Sequence, residues 1–160
     1  MRKTEEFDKI KNQLLEQLDS KGRYVTVSGQ KFIEITNINF DMHTDSLMNK
    51  DYDVSEFIVE FDTIVTEMSR VVMQLEADKF TRQAVINNWQ FKELPPCICL
   101  LQFLYRSNAL QLIIYIRSSD INRLENDLIS LTRILEQVCL NLHMTVGKLY
   151  IHIGSLHLYA

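Results

Sequence analysis

The sequence predicts an α+β fold, a single domain in which a sheet of about five or six strands has one face covered by two or three long helices. Three observations point there. Apolar residues recur at helical spacing in three separate stretches. The second half is dense in Val, Ile, Leu, Phe and Tyr in strand-length runs. No long linker divides the 160 residues. That length suits one domain with a sizeable core rather than two.

Phe7, Ile10, Leu14, Leu15 and Leu18 mark an N-terminal helix within residues 1–22, which Asp19-Ser20-Lys21-Gly22 ends. From Lys31 to Met42 the pattern alternates, but Ile33 and Ile35 lie on one parity and Ile38, Phe40 and Met42 on the other. A strand is expected there, with its phase slipping near Asn37 through a bulge. Residues 43–53 are polar and read as loop. Phe57, Ile58, Phe61, Ile64, Val65, Met68, Val71, Val72 and Leu75 then hold the 3.6-residue period, with Ser55 or Asp53 as N-cap. Residues 82–89, 97–106 and 110–118 read as strands, the last two joined through Ser107-Asn108-Ala109. Leu124, Leu128, Leu131, Leu135, Val138 and Leu142 give another long helix. Met144-Thr145-Val146-Gly147 turns the chain into a final strand over 148–159.

Composition narrows the function. The chain is 46% hydrophobic and 24% charged, enough apolar surface to fold. Its net charge of −4, with no basic block, argues against wrapping duplex DNA or binding an anionic membrane. No apolar run reaches the ~18–20 residues of a membrane span, and MRKTEEFDKI does not read as a signal peptide, so a cytoplasmic location is expected. Cys97, Cys99 and Cys139 cannot all pair within one chain and read as reduced thiols, Cys97 and Cys99 sharing one face of a strand. With no CxxC pair and with His43, His143, His152 and His157 scattered, no metal site is expected. Glycine-rich phosphate loops, a GxSxG elbow and internal repeats are all missing from the sequence.

Singly, the polar residues of the strands say little. Arg117 suits a solvated strand end, and Cys97 after two prolines suits an ordinary buried position. Their order says more. Thr81-Arg82-Gln83-Ala84-Val85-Ile86-Asn87-Asn88-Trp89 is followed by Pro95-Pro96-Cys97, then Leu101-Gln102-Phe103. Arg117-Ser118-Ser119-Asp120 comes next, and finally Gly154-Ser155-Leu156-His157-Leu158-Tyr159. This succession resembles the thymidylate synthase superfamily, which includes phage pyrimidine-nucleotide hydroxymethylases. The resemblance is best over residues 80–159. It continues more weakly over 23–60, where Glu34-Ile35-Thr36-Asn37 and Ser55-Glu56-Phe57-Ile58 resemble the family's first strand and following helix.

The resemblance implies a one-carbon transferase acting at C5 of a pyrimidine nucleoside monophosphate, with 5,10-methylenetetrahydrofolate as donor. Because C5 is a poor nucleophile, a thiolate first adds at C6, and Cys97 matches that nucleophile. A nearby cation must favour the thiolate. Arg117 matches an arginine that in the family lies by both cysteine and phosphate, and Ser118 would add a hydroxyl donor. Arg82 matches an arginine that crosses a twofold homodimer to the partner's phosphate. The family's phosphate-loop arginine falls at Ser28, with Arg23 the nearest substitute. His157 and Tyr159 match the sugar-binding pair, Glu56 the acid that relays protons through water, and Asp120 an aspartate near the folate.

The base-reading position decides between substrates. Counted back from Gly147 and His157 it falls on Asp127, beside Asn126; counted forward from Asp120 it falls on Leu128. A carboxylate accepts from the 4-amino group of cytosine and repels the 4-carbonyl of uracil, so dCMP is preferred over dUMP. Asp127 also suits an ordinary solvated helix start.

The chain departs from the family pattern in several places. Only 25 residues separate Glu56 from Arg82, where the family carries a small subdomain. The segment Ile121-Asn122-Arg123-Leu124-Glu125 has neither Gly nor Pro, Ile98 follows Cys97, and the sequence stops at Ala160 with no C-terminal segment to close over folate. A hydroxymethylase, which needs water at the methylene, tolerates such openness better than a methylase. The alternative expectation is a catalytically degenerate homodimer that binds a nucleotide or acts as a structural or interaction protein. If the chain is phage-encoded, the cytoplasm is the host's.

Overall fold

The computed structural model describes residues 5–48, 50, 61–89 and 93–160. Helix α1 (Glu6–Lys21) buries Phe7, Leu14 and Leu18. It ends at Gly22, where a Cβ would stand 2.2 Å from the Leu18 carbonyl oxygen and 2.3 Å from Ile33 Cγ2. Strand β1 (Arg23–Val27) turns through Ser28 and Gly29 into β2 (Gln30–His43). Both turn residues have positive φ, 51° and 81°, the backbone that a two-residue hairpin of right-handed twist demands. This hairpin was not foreseen, because β1 is exposed apart from half-buried Val25 and carries no alternating stripe.

A 3-10 turn (Thr44–Ser46) follows, then α2 (Asp62–Ala77), which buries Ile64, Val71 and Leu75. The expected cap residues Asp53 and Ser55, together with Phe57 and Ile58, lie outside the described residues. Strand β3 is only Val85–Asn87, shorter than the 82–89 expected, because its apolar run is paired on one side alone. Strands β4 (Ile98–Arg106) and β5 (Ala109–Asp120) form a hairpin across Ser107 and Asn108, again both at positive φ. Ala109 already belongs to β5. Helix α3 (Leu124–Leu142) stops at His143, which takes the left-handed conformation, and the Met144 N–H bonds back to the Cys139 carbonyl at 3.0 Å. Strand β6 (Val146–Tyr159) closes the fold.

Among the described residues the result is α+β, three α-helices and a six-stranded mixed sheet in the order β1-β2-β6-β5-β4-β3. Every neighbouring pair is antiparallel except β5 and β6, which run parallel and are joined by α3. One apolar cluster unites Leu14 and Leu18 of α1, Ile64 and Leu75 of α2, Leu128 and Leu135 of α3, and the inward residues of the strands. No helix among the described residues is long and apolar enough to cross a membrane.

The phase slip expected at Asn37 is present, but the cause differs. Thr36 pairs with Ser155 and Ile38 with Ile153, so β2 gains no extra residue against β6. Instead Asn37 is left-handed, at φ 58°, and its neighbours slip beside it. Along β6, Leu149, Ile151 and Ile153 are buried and then Leu156. Along β5, Leu110, Leu112, Ile114 and Ile116 are buried and then Ser119. The parity changes at Gly154 and Arg117, in register with Asn37. A true bulge continues this line into β4, where Ile98 opposes Ile116 but Leu100 opposes Tyr115, leaving Cys99 as the inserted residue. Ile98 and Cys99 are consequently both buried, and the simple alternation expected from Cys97 to Cys99 is broken. Gly154 allows the close approach: a Cβ there would meet the Arg117 carbonyl oxygen at 2.8 Å.

Candidate active site

The line of slips has a chemical consequence. Had the parity of Ile116 and Ile153 continued, Ser118, Asp120, His157 and Tyr159 would point into the apolar core. The slip sends Ser119 and Leu156 inward instead and turns the four polar residues away from it. Beside them lies a cavity of about 240 Å³ lined by Cys97, Ser118, Ser119, Asp120, Arg123, Asp127, His157 and Tyr159. Six of the residues singled out in the sequence thus converge from the β4 entry, the end of β5, the first turn of α3 and the end of β6.

Half-buried Cys97 sits just before β4, and its carbonyl accepts the Arg117 N–H at 2.8 Å. The Arg117 guanidinium reaches back over the prolines: Nε donates to the Pro95 and Pro96 carbonyls at 3.2 and 3.1 Å, and Nη2 to Pro95 at 2.9 Å. It fixes the turn that presents Cys97 and does not itself line the cavity. From the other side, buried Asn88 donates through Nδ2 to the Ile98 carbonyl at 2.8 Å and through its N–H to the Cys99 carbonyl at 2.9 Å. The backbone of residues 97–99 is thus held from two sides, by Arg117 of β5 and by Asn88.

Ser118 Oγ lies 3.5 Å from His157 Nδ1. The imidazole packs edge-on against Phe32, 5.1 Å between centroids, and Phe32 meets Tyr159 at a tilt, 4.7 Å between centroids, so β2 orients both rings. One row along, Ser155 Oγ donates to the Glu34 carboxylate. Asp120 Oδ1 accepts the Asn122 N–H at 2.9 Å, which shapes the turn into α3. Asp127 stands one helical turn beyond Arg123, whose carbonyl accepts the Asp127 N–H at 3.2 Å.

Other candidates stand elsewhere. Leu128 is fully buried in the core, leaving Asp127 as the residue of that pair on the cavity. Asn126 does not line it, and its carbonyl accepts from Ser130 Oγ at 2.9 Å. Arg82 is exposed beside the middle of β4, where its carbonyl accepts from Gln102 Nε2 at 3.0 Å. Arg23 pairs with Glu34 on β1 and lines a separate depression with Gln17, Lys21 and Glu34. Glu56 lies outside the described residues. Phe32, Ser119 and Arg123 were not foreseen. Arg123 had a readable signal, since a cation at a helix N-terminus opposes the dipole and invites a functional reason.

No group of three or more His, Cys, Asp or Glu among the described residues is arranged to hold a metal ion. The thiols also differ in surroundings. Burial, with the nearby Glu136 carboxylate, pushes Cys139 up to about 12, which keeps it protonated and inert. Cys97 opens on the cavity.

A half-buried thiol at a strand entry, a histidine and a tyrosine on the last strand, and two carboxylates thus gather around one cavity of an α+β fold. Residues 8–160 match the family model of thymidylate synthase, and the chain belongs to that family. It is similar to the thymidylate synthase of Mycoplasma pneumoniae, 27% identical over 101 residues, and to that of Malacoplasma penetrans, 28% identical over 102 residues. In each comparison the match covers 59% of this chain and 35% of the relative, so the chain spans about a third of the length of these curated relatives.

Proposed function

We propose that this chain is a one-carbon transferase acting at C5 of a pyrimidine nucleoside monophosphate, with dCMP preferred over dUMP. The observation that carries the reading is the gathering of Cys97, Ser118, Asp120, Asp127, His157 and Tyr159 around one cavity of about 240 Å³. In this reading the Cys97 thiolate adds to C6 and makes C5 nucleophilic. Ser118, with Arg117 behind it, holds the phosphate. His157 and Tyr159 hold the sugar hydroxyl, and Asp127, with Asn126 beside it, reads the base. Glu56 passes the C5 proton to water.

Asp120 fits a folate, because a carboxylate facing the cavity accepts from N–H donors of the kind that a pterin ring carries. When bound, 5,10-methylenetetrahydrofolate supplies an electrophilic one-carbon unit. The chain's own residues orient the nucleotide and move its protons. Hydroxymethyl is the preferred product, and a cytoplasmic location, the host's if the chain is phage-encoded, belongs to the same proposal.

The reading includes a homodimer. Arg82 does not line the cavity, so in this reading its contribution to a phosphate comes from a second copy. The sheet face away from the helices exposes Tyr115 and Tyr150, at 44% and 42%, which suits such a copy. A second function, a nucleotide-binding or structural homodimer without catalysis, is favoured by one observation: the Arg117 guanidinium is engaged by prolyl carbonyls rather than facing the cavity. Calorimetric titration with dCMP, dUMP and CMP, each with and without tetrahydrofolate, separates them. Nucleotide binding that tightens with folate is expected for the transferase. Binding indifferent to folate supports the second function, and no nucleotide binding contradicts both.

A further inference from the structure

We infer that Arg123 is a second base-reading residue, acting with Asp127 as a donor–acceptor pair against the pyrimidine edge; the inference rests on the proposed function of the same cavity. Both residues line the cavity. Arg123 has right-handed helical backbone, φ −98° and ψ −17°, and the Asp127 N–H bonds to its carbonyl at 3.2 Å. Side chains four apart on a helix emerge on one face, about 5–6 Å between Cβ atoms. The cavity wall therefore presents a guanidinium, which only donates, next to a carboxylate, which only accepts.

A pyrimidine ring offers the complementary pattern on adjacent atoms. Cytosine donates from its 4-amino group and accepts at N3; uracil donates from N3–H and accepts at O4. With the carboxylate against position 4 and the guanidinium against N3, cytosine finds an acceptor for its amino group and a donor for N3. In the same pose uracil sets O4 against the carboxylate and N3–H against the guanidinium. Arg123 therefore adds to the preference that Asp127 sets, and it decides how far the site prefers cytosine.

The test is titration of the full chain with dCMP, dUMP and inorganic phosphate, repeated for Arg123→Met and Asp127→Asn. Arg123→Met is expected to weaken dCMP more than dUMP, lowering the dCMP:dUMP affinity ratio by about tenfold or more, the size of one base-edge contact. Asp127→Asn is expected to lower that ratio. An unchanged ratio in Arg123→Met, with both nucleotides binding, overturns the role of Arg123 and leaves the transferase reading standing. Nucleotides that bind no tighter than phosphate in the unaltered chain overturn that reading and this inference together. Circular dichroism of each variant verifies that a change in ratio is not a loss of fold.

Discussion

Cys97 and Cys139 belong to one chain but to different chemical settings. Cys139 is sealed in α3 under burial that raises its pKa to about 12, whereas Cys97 borders a cavity. Limited alkylation at pH 8, read by peptide mass mapping, is expected to label Cys97 first; labelling of Cys139 first contradicts the assignment. The same burial gives a stability signature. An unfolded thiol at the usual value of 9.0 loses its proton as pH rises, while the folded thiol keeps it until about 12. The native state then binds more protons than the unfolded state between those values, so stability falls with rising pH across that window. Cys139→Ala is expected to flatten this part of the profile in denaturant titrations against pH.

At the scale of elements, the aligned slips across β2, β6, β5 and β4 decide which residues reach the cavity. Asn37 tolerates its left-handed backbone, and glycine would tolerate it better. Asn37→Gly is therefore expected to be near neutral and Asn37→Val to cost about 1–2 kcal/mol in chemical denaturation. At Gly154, a methyl group would meet the Arg117 carbonyl oxygen at 2.8 Å. Gly154→Ala is expected to cost about 1–3 kcal/mol and to disturb His157. Asn37→Val and Gly154→Ala that both leave stability unchanged would mean that the slip does not organise the site.

The slip was legible in part. The parity change from Ile35 to Ile38 shows in the sequence because the residues on either side are strongly apolar. Its continuation through Arg117 and Gly154 does not, because partner strands set it. The three long helices and strands β2, β4, β5 and β6 were readable from apolar period. Strand β1 was not, since an exposed edge strand carries no buried stripe, and β3 was overestimated because apolar residues without a partner on each side do not all join a ladder. Cys97, Ser118, His157 and Tyr159, which line the cavity, were singled out through their order along the chain. Phe32 was not, because an aromatic on a strand looks like core until its contact with His157 is seen.

The whole molecule combines an apolar cluster beneath the sheet with an open face bearing Tyr115 and Tyr150. If that face joins two copies, sedimentation is expected to give a dimer, and the double change Tyr115→Asp with Tyr150→Asp a monomer that still binds nucleotide less tightly for want of the partner's Arg82. A monomeric unaltered chain contradicts the dimer.

The transferase reading is tested most directly by release of tritium from C5-labelled dCMP and dUMP with methylenetetrahydrofolate, run beside Cys97→Ala. Release is expected with dCMP ahead of dUMP, and in the variant it is expected to fall by a factor on the order of 10³ or more while nucleotide binding persists. Release that survives the loss of Cys97, or none from a chain that binds both nucleotide and folate, contradicts it.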